Sequence, residues 1–320
     1  MNRCKLGVIG AGIMGERMLR AALDDGGANV HIAGVWDPSA AAQVRIAALP
    51  GITLATSVAA LIAASDCVYI ASPPASHLPL AAAVLAAGRA VLCEKPLSAD
   101  VAAARAFVAA AAGARAAVNF PMATSFSAER LRAWLAEGAI GTPQRLEIEV
   151  AFATWPRGWQ RDAAGWLDGR AEGGFTREVV SHFLFLTRRL VGPMTLGAHA
   201  AHFPLARHSE RGMQASIIAG GIPVTLSGAV GGTGKDDHNL WTLTGDRGAI
   251  RIRDWAFAER LVDGGWQPDA DAMPNERARP LVLQRQLAGV AALVRGAAHP
   301  LATLQEAFEV QCIVEGILAD

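Results

Sequence analysis

The sequence predicts an α/β chain of two domains. The N-terminal domain, residues 1–120, is a dinucleotide-binding domain on a doubly wound parallel sheet, and residues 121–320 form an α+β domain with a largely antiparallel, open sheet. Three observations predict this. Strand-like and helix-like patterns alternate through the first 119 residues, a glycine-rich turn joins the first strand to the first helix, and after residue 143 the pattern changes to consecutive period-two strands.

In the first half, strand patterns fall at residues 5–9, 30–36, 52–54, 67–71, 90–93 and 115–119, with helical patterns at 16–23, 58–64, 75–87 and 101–112 between them. Regular alternation means βαβ units, a parallel sheet and right-handed crossovers. The first strand runs into Gly10-Ala11-Gly12-Ile13-Met14-Gly15. In that context Gly10 permits the tight turn, Gly12 admits a pyrophosphate close to the backbone, and Gly15 lets helix and strand pack. The N–H groups of the helix start, with Ile13 and Met14, face the phosphates. The second strand ends in Asp37, about 20 positions after Gly15, where a carboxylate accepts from both ribose hydroxyls of an adenosine. A 2′-phosphate is repelled there, so the acid favours NAD over NADP. In Asp37-Pro38-Ser39 the same residue also suits a helix amino terminus, which is compatible with that role.

Each later strand delivers polar residues at its carboxyl end, the edge where open α/β sheets bind ligands. These are Ser72-Pro73-Pro74 with His77, then Glu94-Lys95-Pro96, then Asn119. The proline holds Lys95 in extended backbone. Taken alone, that tripeptide reads equally as a surface turn with one salt bridge, and His77 reads as a helix-start residue packed on the nucleotide rather than a catalytic one.

Together, the three glycines, the run Ser72-Pro73-Pro74-Ala75-Ser76-His77 and Cys93-Glu94-Lys95-Pro96-Leu97-Ser98 resemble the glucose-fructose oxidoreductase, inositol dehydrogenase and MocA (Gfo/Idh/MocA) family. The resemblance is strongest up to Asn119. It implies a Rossmann domain, a nicotinamide cofactor and a sugar, cyclitol or related polyol as substrate, with Lys95 projecting between nicotinamide and substrate. Asn119 matches a common asparagine, but Phe120-Pro121 replaces the arginine that often follows. The closing helix, about 301–318, is implied to pack back on the first domain.

In the second half, an amphipathic helix over 127–137 precedes the strand Arg145-Leu146-Glu147-Ile148-Glu149-Val150, and further strands fall at 195–203, 213–218, 223–230, 240–244 and 249–252. An open sheet face needs a cover, so a homodimer or homotetramer through this sheet is expected. Trp155, Arg157, Trp159, Arg161 and Trp166 cluster in one stretch, and Arg177 follows. Trp155, Arg157, Trp166 and Arg177 can line a pocket for a sugar or an anion by stacking and bidentate bonds, or the tryptophans can simply pin a long loop. Glu178 and His182, four apart in a helical pattern, share a face. By spacing they read as a surface pair or as a carboxylate orienting an imidazole whose ordinary pKa, about 6.5, suits proton exchange.

The resemblance assigns this position to a Gly-Gly motif, an aspartate and a catalytic histidine. Here Gly173, Gly174 and His182 are kept, while Glu178, Val180 and Phe185 depart from it. The implied catalytic set is Lys95, His182 and Glu178, with Lys95 and His182 also touching substrate, and hydride passes between nicotinamide and a secondary alcohol or ketone carbon.

The composition narrows the alternatives. With 29 basic and 29 acidic residues, a formal net charge of zero and no basic block, nothing marks a nucleic-acid or anionic-membrane partner. No apolar run is long enough for a membrane helix or a signal peptide. The four dispersed cysteines give neither a structural zinc site nor a disulfide framework, so no metal and a cytoplasmic, reduced setting are expected. The one tyrosine, Tyr69, has Pro73 four residues on, which excludes a Tyr-x-x-x-Lys dehydrogenase. A non-catalytic NAD-binding sensor and a methyltransferase remain rivals, the second having no use for Glu94-Lys95-Pro96.

Overall fold

The structure is a computed structural model, and residues 3–319 are described. Backbone contacts divide the chain into two compact units, one running up to Pro121 and including Pro280–Phe308, the other comprising Met122–Arg279 with the chain from Glu309 onward.

The first unit is built on β1 (Cys4–Ile9), β2 (Val30–Trp36), β3 (Cys67–Ile70), β4 (Ala90–Glu94) and β5 (Ala116–Asn119), all parallel in the order β2-β1-β3-β4-β5. The direction of strand addition reverses at β1, so the crevice at its carboxyl end is the topological switch point. β3 and β4 are buried at every position, as parallel strands covered on both faces must be. The helices between them are α1 (Ile13–Asp24), α2 (Ala40–Ala47), α3 (Val58–Ala64), α4 (His77–Ala86) and α5 (Val101–Ala110). Ser39, Ser57 and Asp100 cap α2, α3 and α5 by accepting backbone N–H groups of the first turn, which fixes where each helix starts. The strand expected at 52–54 reduces to a single bridge between Val35 and Leu54.

The second unit holds α6 (Phe126–Ala136), the short α7 (Ala164–Leu167), α8 (Ser181–Leu190) and eight strands. These are β6 (Pro143–Phe152), β7 (Met194–His202), β8 (Gly212–Ala219), β9 (Ile222–Val230), β10 (His238–Gly245), β11 (Ala249–Arg253), β12 (Phe257–Val262) and β13 (Gly265–Pro268). They form one sheet, β13-β12-β11-β10-β6-β9-β8-β7, antiparallel except at β6 and β9. Alternation along β6 buries Leu146, Ile148, Val150 and Phe152 and exposes Glu147 and Glu149. α8 covers the buried face, and the indole N–H of Trp241 donates to Thr187 Oγ at 2.9 Å.

The segment returning to the first unit differs from expectation. It belongs mainly to α9 (Asn275–Val294), whose Leu283, Leu287, Val290, Ala291 and Leu293 enter the core formed by β1, β3 and α1. Leu301 joins that core, and Ala302 O accepts the Val118 N–H at 2.9 Å. From Glu309 the last helix, α10 (Leu304–Leu318), belongs to the second unit. Its carboxylates explain why: Glu315 pairs with Arg177, and Glu309 with Arg188.

Candidate functional site

At the carboxyl end of β1 the glycines divide by role. Gly10 has φ +91°, and a side chain on it would lie 2.7 Å from the Ala71–Ser72 backbone. A Cβ on Gly15 would lie 1.9 Å from Gly10 O, so no side chain fits between helix and strand. Gly12 is different: it is exposed, and a Cβ there would meet no protein atom within 4 Å. Gly12 is also the residue preceding α1, and no side chain caps that helix. The first N–H groups therefore remain open to an anion, and the helix dipole favours one. Ile13 and Met14 open the helix, partly exposed.

Asp37 ends its strand beside this loop, its Oδ2 accepting the Ala11 N–H at 2.6 Å and its Oδ1 the Ser39 N–H at 2.8 Å. Each oxygen keeps a lone pair for a further donor. The open Gly12, the uncapped helix and the fixed carboxylate fit a nicotinamide dinucleotide.

The Glu94-Lys95-Pro96 turn is buried and supported from two sides. The Lys95–Pro96 peptide is cis, and Lys95 is 8% exposed. On one side His77 clamps two turns, its Nδ1 lying 2.7 Å from Pro96 O and its Nε2 2.7 Å from Ser72 O. Burial, reinforced by the charge of Lys95 and opposed by these carbonyls, pushes the His77 pKa down. The neutral ring donates to only one of the two carbonyls. At 1% exposure His77 holds the Ser72-Pro73-Pro74 loop against the lysine turn. Ser72 and Ser76 hydroxyls bond each other at 2.6 Å, and the buried Pro74 opens a short 3₁₀ turn.

On the other side lies a polar network that the sequence did not reveal. Tyr69 donates its hydroxyl to Glu94 Oε1, and the Asn119 amide donates to the same oxygen at 2.6 Å. Gln286 Nε2, from α9, donates to Asn119 Oδ1 at 2.6 Å. Tyr69, Asn119 and Gln286 are completely buried. Asn119 is thus engaged at both ends of its amide and supports Glu94. Burial, then the charge of Glu94, raises the Tyr69 pKa well above its ordinary value, so the phenol keeps its proton and acts as a donor.

In the second unit, His182 is 8% exposed in the first turn of α8. The helix does not begin regularly as its spacing suggests. Thr176–Val180 forms one π turn, with Glu178 inside it and partly exposed, and such widened turns recur at functional sites. Glu178 and His182 thus straddle a change of helical pitch.

Two of the expected substrate contacts are engaged by protein groups. Trp155 is 6% exposed, packed on Phe152 and Phe175 with its indole N–H on Leu167 O, and so belongs to the aromatic core. Arg177 gives Nε and Nη2 to Glu315 at 2.7 Å and Nη1 to Arg170 O and Gly173 O, a buried pair whose donors are consumed by protein. Arg157 is buried too, donating from Nη1 to Asp237 Oδ2 at 2.7 Å and from Nε to Gln160 Oε1 at 2.9 Å, with Trp159 stacked over its guanidinium. Trp166 lies on α7, partly exposed.

Burial holds the thiols of Cys67 and Cys93 well above their ordinary value, and burial with Asp66 pushes Cys4 up to about 11. Among the described residues no cluster of His, Cys, Asp and Glu could hold a metal ion, and no helix is long and apolar enough to cross a membrane.

Comparison with known proteins bears on the fold. Residues 4–120 match the family model described as "Oxidoreductase family, NAD-binding Rossmann fold". An inositol 2-dehydrogenase of Streptomyces avermitilis is 34% identical over 181 residues, 51% of this chain and 52% of that protein, so the match spans about half the length of this curated relative. Among solved structures, an oxidoreductase from Thermotoga maritima superposes with a TM-score of 0.83 at 17% identity, covering 99% of this chain and 96% of that one. An oxidoreductase from Agrobacterium radiobacter, solved in complex with NAD+, L-tartaric acid and magnesium, gives 0.81 at 19% identity over 98% and 95%. The glycine cradle and the Glu94-Lys95-Pro96 turn both fall inside the matched residues, so residues 4–120 carry the NAD-binding Rossmann fold of this oxidoreductase family.

Proposed function

We propose that the protein is an NAD-dependent dehydrogenase or reductase acting on a secondary alcohol or ketone carbon of a sugar, cyclitol or related small polyol. The observation that carries this reading is the buried lysine turn: Lys95 is fixed between a histidine clamp and a tyrosine-glutamate-asparagine network in the same unit as an open glycine cradle. That effort of construction is wasted on a surface salt bridge. Relatives named inositol 2-dehydrogenase, and a solved relative holding NAD+ with a hydroxy acid, support a hydroxylated small molecule as substrate.

The dinucleotide would be held by Gly10, Gly12 and Gly15, by the open N–H groups of α1 and by Asp37, whose charge disfavours a 2′-phosphate and so NADP. Bound there, the nicotinamide supplies the hydride acceptor or donor. Lys95, a cation on a fixed backbone, stabilises negative charge developing on the reacting oxygen. His182 exchanges the hydroxyl proton, with Glu178 orienting it. A dehydrogenase screen over aldoses, uronic acids, inositols and their keto forms, with NAD and NADP separately, tests the reading. Sustained change at the nicotinamide absorbance band with NAD is expected. Tight NAD binding with no turnover across the panel would make the protein a sensor instead.

A further inference from the structure

The turn between β11 and β12 carries two consecutive non-glycine residues in the left-handed region, Asp254 at φ 47° and Trp255 at φ 71°. Side chains of L residues crowd their own backbone there, and such strain persists where surrounding contacts over-determine it. Those contacts are present. Asp254 Oδ1 lies 2.8 Å from His238 Nδ1 and accepts the Asn239 N–H at 3.3 Å, while the Asp254 N–H donates to Asn239 O at 2.9 Å. The Ser127 hydroxyl donates to Trp255 O at 3.1 Å. The Trp255 indole N–H donates to Asp237 Oδ1 at 3.2 Å, and the other oxygen of Asp237 holds Arg157. What all this fixes is one ring against another. The indole of Trp255 stands edge to face on the imidazole of His182, centroids 5.4 Å apart and planes at 74°, and packs on Phe183 at 5.1 Å.

We propose that Trp255 is a positioning residue for His182, holding the imidazole in one orientation through this contact, and that Asp237 ties the placement to the loop carrying Arg157. The role in turnover rests on the proposed function, which gives His182 the proton exchange; the ring contact does not. Neither the spacing of the second motif nor the tryptophan-rich loop contains Trp255. It lies 73 residues after His182 and reaches it only through the folded hairpin.

Because an imidazolium in contact with an indole accepts an electron from its excited state, Trp255 emission reports the ionisation of His182. Charged groups near the pair include Glu178, in the π turn that precedes α8, and, from the β10–β11 side, Asp254 with His238, Lys235 and Arg253 around it. Asp237 with Arg157 lies at the far edge of the indole. His238 carries the other imidazole close to Asp254.

The test subtracts the emission of Trp255→Phe from that of the unmodified protein between about pH 5 and about pH 9. The Trp255 component is expected to rise through one midpoint as pH increases, to lose that midpoint in His182→Asn and to keep it in His238→Gln. On the substrate found by the screen, Trp255→Leu lowers kcat about tenfold with KM nearly unchanged and displaces the acid limb of the rate profile, while Trp255→Phe recovers most of the loss. A Trp255 component flat with pH, or a midpoint surviving His182→Asn, overturns the contact. Unmodified kcat and an unmoved limb in Trp255→Leu overturn the positioning role. If no compound in the panel is turned over, the proposed function fails by itself, and the emission titration alone decides between a held and an unheld His182.

Discussion

Tyr69→Phe deletes a single hydroxyl at a place water does not reach. The phenol is completely buried and its O–H donates to Glu94 Oε1, which is left with the Asn119 amide at 2.6 Å. A hydrogen bond to a charged group contributes about 1.5–3 kcal/mol, and the remaining bond spares the carboxylate full desolvation, so the loss should be about 2 kcal/mol. In a domain of this size that lowers the unfolding midpoint by about 4–8 °C. The assay is denaturant unfolding of Tyr69→Phe, Glu94→Gln and the double variant. Residues in direct contact do not add, and a coupling energy of about 1–2 kcal/mol is expected. Strict additivity, or a Tyr69→Phe loss under about 0.5 kcal/mol, would refute the view that this network supports the lysine turn.

Further predictions separate ligand contact from packing. Gly12→Ala places its Cβ in space free of protein atoms, so folding stability should stay within about 0.5 kcal/mol while NAD affinity falls at least about tenfold. Gly15→Ala drives a methyl to 1.9 Å from Gly10 O and should lose folded protein before any ligand is added, which thermal unfolding without NAD reads directly.

What could be read from the chain was local. Gly10, Gly12, Gly15 and Asp37 act through backbone geometry within one βαβ unit, and that spacing is written in order along the sequence. The period-two strands of the second unit could be found for the same reason. Partners far apart in the chain could not. Asn119 looks like a ligand contact until Gln286, 167 positions later, is seen to hold its oxygen. Gln286 itself lies on α9, whose helical period is interrupted by Pro280 and several charges. Arg177 looks like an anion receptor until α10 brings Glu315 to it. β12 and β13 are short and carry few apolar residues in alternation; β11 pairs with β12 across the turn at Asp254 and Trp255, and β12 with β13 across Asp263-Gly264. Left-handed backbone at Trp255 leaves no trace in composition, and Asp254 beside it, a residue type enriched in that region, is only a weak signal. The π turn under Glu178 is hidden for a like reason: a four-residue spacing is the same string whether the pitch is regular or widened.

The central claim is that Lys95 works on the reacting oxygen and not on the dinucleotide. Lys95→Ala, measured for turnover of the best substrate and, by direct titration, for NAD binding, tests it most directly. The account predicts a fall in kcat of about 10²–10³-fold with NAD affinity changed less than about threefold. Turnover retained in Lys95→Ala, with the cofactor still bound, would contradict it.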